Sequence, residues 1–154
     1  MTSASPLAKL VIVLPDPLKF ILAGNAIFTL HSERTGTHFT YRVRRPKDSS
    51  PITPVWFVQV LTGPSNEGDY EYLGVIRPAA NLTGLSYSHG VRSRIRADAP
   101  SAVAISWALR RLLAKQLLPS CQILHEGRCG RCGRRLTVPE SIQSGFGPEC
   151  IDHV

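Results

Sequence analysis

Three cysteines near the end of the chain set the tightest limit on what this sequence can fold into. They stand as Cys129-Gly130-Arg131-Cys132-Gly133, with Cys150 behind Gly145-Phe146-Gly147-Pro148-Glu149. A glycine after each member of the first pair lets the backbone turn tightly, so both sulfurs can point inward while N–H groups face them. This is how a chain presents thiolates to one metal ion. A structural zinc is held by four ligands in a tetrahedron, so three cysteines require one more donor. His125 precedes the knuckle and can fold back onto it. His153 follows in Cys150-x-x-His153 and can reach from the first turn of a terminal helix. Cys121 is a third candidate, although Gln122-Ile123-Leu124 reads as a strand leading into the turn.

The competing readings of the cysteines are weaker. A thioredoxin-like redox pair needs a βαβ setting, which is missing, and would leave Cys150 without a role. A disulfide framework needs an oxidising compartment. Leu7–Leu14 ends at once in Pro15-Asp16-Pro17, unlike a cleaved leader, and no apolar run approaches the length of a membrane span. The expected location is the cytosol, where thiols stay reduced.

Ahead of the metal motif the pattern is β. Ala26–His31 alternates, Ser32-Glu33-Arg34-Thr35-Gly36 turns, and Thr37–Val43 returns with Phe39, Tyr41 and Val43 on one face. Val55–Leu61 is rich in β-branched and aromatic residues, and Tyr70–Ile76 runs back against it after a Gly/Pro/Asn turn. Arg77–Gly90, with Pro78, Gly84 and Gly90, reads as loop. Asp98-Ala99-Pro100-Ser101 opens a helix, along which Ile105, Leu109, Leu112 and Leu113 recur at helical spacing up to Pro119. After the knuckle, Pro139–Ser144 reads as one short helical turn closed by Gly145.

The predicted fold class is therefore α+β. An antiparallel sheet of two hairpins (strands within about 20–76) is covered by one long helix (about 99–118), and a small zinc-knuckle lobe occupies 119–154. The division is 1–118 and 119–154. A lobe that small cannot fold on its own core. Metal binding, about 10–16 kcal/mol in zinc peptides, would supply what it lacks.

Charge gives the first indication of function. The chain carries +7 formal charge and a pI near 9.7. From Val91 to Arg135 ten Lys/Arg face only Asp98 and Glu126, so this segment holds the whole excess. Arg92, Arg94 and Arg96 alternate and would share one face of a strand, while Arg128, Arg131, Arg134 and Arg135 crowd the knuckle. Such a concentration suits a polyanion, above all nucleic-acid phosphates. Trp56, Tyr70, Tyr72 and Tyr87 would offer stacking surfaces if any lies outside the core. The alternative is a protein-binding inhibitor or adaptor whose basic face meets an acidic host factor, such as a defence complex or transcription machinery.

An enzyme is not expected. The zinc-deaminase template needs His-x-Glu and a proline before Cys-x-x-Cys; here His125 and Glu126 are adjacent and Arg128 precedes Cys129. Phosphate-loop, dinucleotide and Gly-x-Ser-x-Gly signatures are missing. His31 and His38 can face each other across the first hairpin, but have no carboxylate partner. No small-molecule substrate and no membrane partner is indicated.

His125–Arg135, Leu136-Thr137-x-Pro139-Glu140-Ser141 and Gly145-x-Gly147-Pro148-x-Cys150 resemble the C-terminal signature of a family of phage- and plasmid-borne zinc-ribbon proteins. Phe28-Thr29-Leu30, Thr35-Gly36, Phe39-Thr40-Tyr41, Leu61-Thr62-Gly63-Pro64 and Ala97–Ser101 are similar to its N-terminal half. The resemblance implies a mobile-element origin and one structural zinc on Cys129, Cys132, Cys150 and, through the family's His before Glu-Gly-Arg-Cys, His125. It brings no established activity.

Overall fold

The computed structural model of the chain describes residues 12–64, 68–80, 84–116 and 118–154. Met1–Pro6 and most of Leu7–Leu14 lie outside these residues. In chain order the elements are β1 (Ile12–Val13), α1 (Pro17–Ile21), β2 (Asn25–Ser32), β3 (His38–Arg44), β4 (Trp56–Leu61), β5 (Tyr70–Pro78), β6 (Leu85–His89), α2 (Pro100–Leu113), β7 (Cys121–His125), α3 (Pro139–Ser144) and a 3-10 turn (Cys150–His153). All seven strands form one antiparallel sheet in the order β1-β7-β2-β3-β4-β5-β6.

Both predicted hairpins form, β2 with β3 and β4 with β5. The sheet is wider than two hairpins for two reasons. Residues 85–89, read as loop, are strand β6, paired with β5 from Gly74↔His89 to Pro78↔Leu85. Gly84 and Gly90 bracket that strand rather than break it, and Leu85 and Tyr87, the two apolar positions alternating with its serines, are too few to mark a strand by themselves. On the other side, β7 lies between β1 and β2, so the stretch leading into the knuckle is an inner strand of the sheet.

One face of the sheet builds the core. Phe28, Tyr41, Val43, Val58, Val60 and Leu73 are buried, and the helices close over this side with Phe20, Ile21, Ile105 and Leu109. The Tyr41 hydroxyl donates to the Ser101 carbonyl at 2.7 Å, fixing the start of α2 over β3. Pro100 occupies the first turn of α2, where its missing N–H costs nothing. Asp98 does not cap the helix; Ala99 stands at the cap, and Asp98 is engaged by Arg96. The helix ends at Leu113, short of Pro119, and Lys115 turns the chain with a φ of 60°. Among the described residues no helix is long and apolar enough to cross a membrane.

Candidate metal centre

The knuckle is a tight hairpin. Leu136 N–H donates to Gly127 O at 2.7 Å, Cys129 N–H to Arg134 O at 2.8 Å and Gly133 N–H to Cys129 O at 2.9 Å. Further on, Pro139 starts α3 and Gly145 ends it in the left-handed conformation (φ 86°), which reverses the chain toward Cys150. These two reversals bring the sulfurs of Cys129, Cys132 and Cys150 within 4.8 Å of one another. Two sulfurs held about 2.3 Å from one tetrahedral zinc lie about 3.8 Å apart, so the three thiols have the spacing of a shared ion. No disulfide joins them.

The surroundings favour thiolate at Cys129. Arg131, Cys132 and Gly147 direct their backbone N–H groups at Cys129 Sγ from 3.4–3.5 Å, and Arg131 Nη1 donates to Cys150 Sγ at 3.5 Å. Burial opposes ionisation of Cys129, yet these backbone donors outweigh it and hold its pKa below the ordinary thiol value. Burial pushes Cys132 up instead, and the neighbouring cysteines add to this. A soft, doubly charged ion relieves both effects at once. Soft sulfur donors of this number and spacing can hold a metal ion.

The lobe is bound to the sheet by a small apolar hinge that the sequence reading missed. Phe20 of α1 is fully buried, with its ring 5.6 Å from the His125 ring and 5.8 Å from that of Phe146. A side chain at Gly130 or Gly145 would collide with Phe20, because an added Cβ would stand 2.7–2.8 Å from its ring. Both glycines are therefore required for packing, and Gly145 also for its left-handed turn. Asn25 at the start of β2 completes the attachment: its N–H donates to Gly130 O at 2.7 Å and its side-chain amide to Arg131 O at 2.8 Å.

His125 does not join the thiols. It sits on β7, 2% exposed, with Nε2 2.6 Å from Ile142 O and Nδ1 accepting the Gly127 N–H at 3.1 Å. Since Gly127 can only donate to Nδ1, Nε2 carries the proton and donates to the carbonyl. Both nitrogens are spent on holding α3 and the knuckle to the strand, so the fourth-donor role expected from the resemblance is replaced by a positioning one. Burial lowers its pKa, favouring the neutral ring. Cys121 pairs with Ser32 at the far end of β7, about 13 Å along the strand from His125, and is too distant to contribute. His153 is exposed on the 3-10 turn and lines the same cavity of about 460 Å3 as all three cysteines.

The arginines divide. Arg131, Arg134 and Arg135 line the rim of that cavity and are exposed. Arg128 is half-buried, its backbone paired with Arg135 in an isolated bridge and its Nη1 donating to Gly133 O at 3.4 Å. Arg92, Arg94 and Arg96 do not share a strand face. They lie in the turns between β6 and α2, and Arg96 is engaged with Asp98 at 3.0 Å. Of the four aromatics read as stacking candidates, Trp56 and Tyr87 are core, while Tyr70 and Tyr72 are partly exposed.

Residues 123–154 match the model of a family of unknown function (DUF6011). The matched segment contains the whole knuckle, α3 and the terminal turn, and the upstream stretches that carried the resemblance lie outside it. No curated protein and no solved structure matches the chain.

Proposed function

We propose that the chain is a binding module, not an enzyme, in which Cys129, Cys132 and Cys150 hold one zinc ion and the arginines around it engage nucleic-acid phosphates. His153, on the rim of the same cavity, is the fourth donor. Zinc here is structural: it fixes the two reversals of the lobe relative to each other. The observation that carries the reading is the convergence of Arg131, Arg134 and Arg135 on the rim of the three-thiol cavity.

The test is binding of a labelled nucleic acid at increasing salt. Binding should weaken steeply with salt, and each phosphate-contacting arginine changed to Ala should reduce the log–log slope by about one. Lack of any binding at low salt removes the proposal.

A second reading, a protein-binding adaptor, is favoured by one patch. Val103 and Trp107 lie one helical turn apart on α2, 51% and 37% exposed, beside a depression of about 420 Å3 that includes His89. Capture of one partner that persists in high salt and is lost in Trp107→Ala would support it over the first.

A further inference from the structure

Helices α1 and α2 close over one face of the sheet. On the other face Leu124 and Val75 are also buried, but four successive strands carry a row of half-buried or exposed side chains: Asn25 on β2, Arg42 and Arg44 on β3, Phe57 and Gln59 on β4, Tyr70 and Tyr72 on β5. Phe57 points outward in mid-sheet and is 39% exposed. It does not stand alone. Its ring meets Tyr72 edge-on at 6.3 Å, making an aromatic pair across β4 and β5.

That pair is held from below and from the side. Gly90 backs onto the Tyr72 ring so closely that an added Cβ would stand 2.5–2.7 Å from its atoms, and the Ser93 hydroxyl donates to the Tyr72 carbonyl at 2.7 Å. Arg42 Nε donates to Gln59 Oε1 at 2.7 Å and its guanidinium lies 4.2 Å over the Tyr70 ring, so the polar part of the row is also fixed. A preorganised aromatic surface loses little conformational freedom on binding.

Cations flank the aromatics on both sides. A groove of about 430 Å3 is lined by Phe57 and Tyr72 together with Arg44, Arg45 and Lys47. A second depression, about 390 Å3, shares Phe57 and Tyr72 and ends at Arg92. Among the described residues lining the two depressions there is no Asp or Glu. The first groove also includes Asn25, whose amide donates to the Arg131 carbonyl, so the groove lies beside the knuckle.

We infer that the accessible stretch of this sheet face around Phe57 and Tyr72 is a platform for single-stranded nucleic acid, with bases stacking on these two rings and phosphates running past Arg44, Lys47 and Arg92. The inference deepens the nucleic-acid reading and rests on it. A duplex keeps its base faces buried in its own stack and cannot use the aromatic pair, whereas every unpaired base offers a π-face. Stacking does not read the sugar, so DNA and RNA strands are equivalent ligands for this face.

The probes are oligo(dT), oligo(U) and a blunt duplex of about 12 nucleotides per strand, followed by fluorescence anisotropy on the full chain loaded with zinc. Oligo(dT) and oligo(U) should bind alike and more tightly than the duplex. Phe57→Ala and Tyr72→Ala should each weaken the single strands roughly 5- to 150-fold and leave duplex binding unchanged, while Phe57→Tyr and Tyr72→Phe retain affinity. Arg44→Ala should lower the salt slope by about one. Circular dichroism and melting of each variant establish that the sheet is intact.

Four outcomes overturn the platform. If single-strand binding is lost in Arg134→Ala and Arg135→Ala but untouched by Phe57→Ala and Tyr72→Ala, the knuckle reading stands and the sheet face does not. If duplex is preferred, or is weakened equally by Phe57→Ala, the contact is not stacking. If no probe binds, both readings fall together. If Phe57→Ala instead abolishes self-association of a chain that binds no oligonucleotide, the face belongs to a second copy.

Discussion

Replacing His125 by Ala separates a positioning residue from a metal ligand. The substitution empties a fully buried ring site beside Phe20 and orphans the Ile142 carbonyl and the Gly127 N–H. Large-to-small changes in a core cost about 2–5 kcal/mol, and an orphaned buried polar group about 1–3 kcal/mol. Water can enter a polar vacancy and offset part of that, so we expect a net loss of about 3 kcal/mol. For a chain of this size each kcal/mol moves the melting temperature by about 2–4 °C, giving a drop of about 6–12 °C by calorimetry. Zinc stoichiometry, measured on the folded variant well below its melting temperature, should stay at that of the unaltered chain, because neither ring nitrogen faces the thiols. His125→Gln, whose amide can still donate to Ile142 O, should lose less stability and also keep zinc. The reasoning is refuted if both variants release zinc while their metal-free stability matches that of the unaltered metal-free chain.

Other consequences follow from the same geometry. The buried Tyr87 hydroxyl has no hydrogen-bond partner and burial pushes its pKa up to about 12, so Tyr87→Phe should be neutral or stabilise by about 1 kcal/mol in urea titration. Gly130→Ala should displace the Phe20 ring and lower both melting temperature and zinc retention, whereas Gly36→Ala, with open space around it, should leave zinc untouched. The unfolded chain protonates His125 near pH 6.5 and the folded chain only below that, so the unfolded state binds the extra proton. Stability should be full above about pH 6.5 and fall on acidification, by at most about 1.4 kcal/mol per pH unit from this group, and His125→Gln should flatten that slope.

What the sequence disclosed follows the range of the interactions involved. Cys129, Cys132 and Cys150 were legible because ligand spacing and turn glycines are local and chemically narrow. The hairpins of β2–β3 and β4–β5 were legible because alternation over a strand is a short-range signal. The β6 strand was not, since Leu85-Ser86-Tyr87-Ser88-His89 owes its state to pairing with β5 rather than to its own pattern. Spacing left His125 and His153 open as the fourth donor because it reports reach, not direction, and the resemblance that favoured His125 reports no direction either. The orientation of His125 is set by Ile142 and Gly127, and by a phenylalanine more than a hundred residues upstream. Arg92, Arg94 and Arg96 alternate in sequence, but the turns they occupy remove the common face that alternation implies. The exposed Phe57 could not be told from a core aromatic until the register of β4 placed it opposite Arg44.

The most direct test of the three-thiol site is the mass of the folded chain under native conditions, with and without chelator. One zinc per chain is predicted, lost on chelation with melting of the Arg128–Cys150 segment, and lost equally in Cys129→Ser and Cys150→Ser. A folded chain that carries no metal, with the same knuckle protection from hydrogen exchange whether or not zinc is supplied, would contradict it.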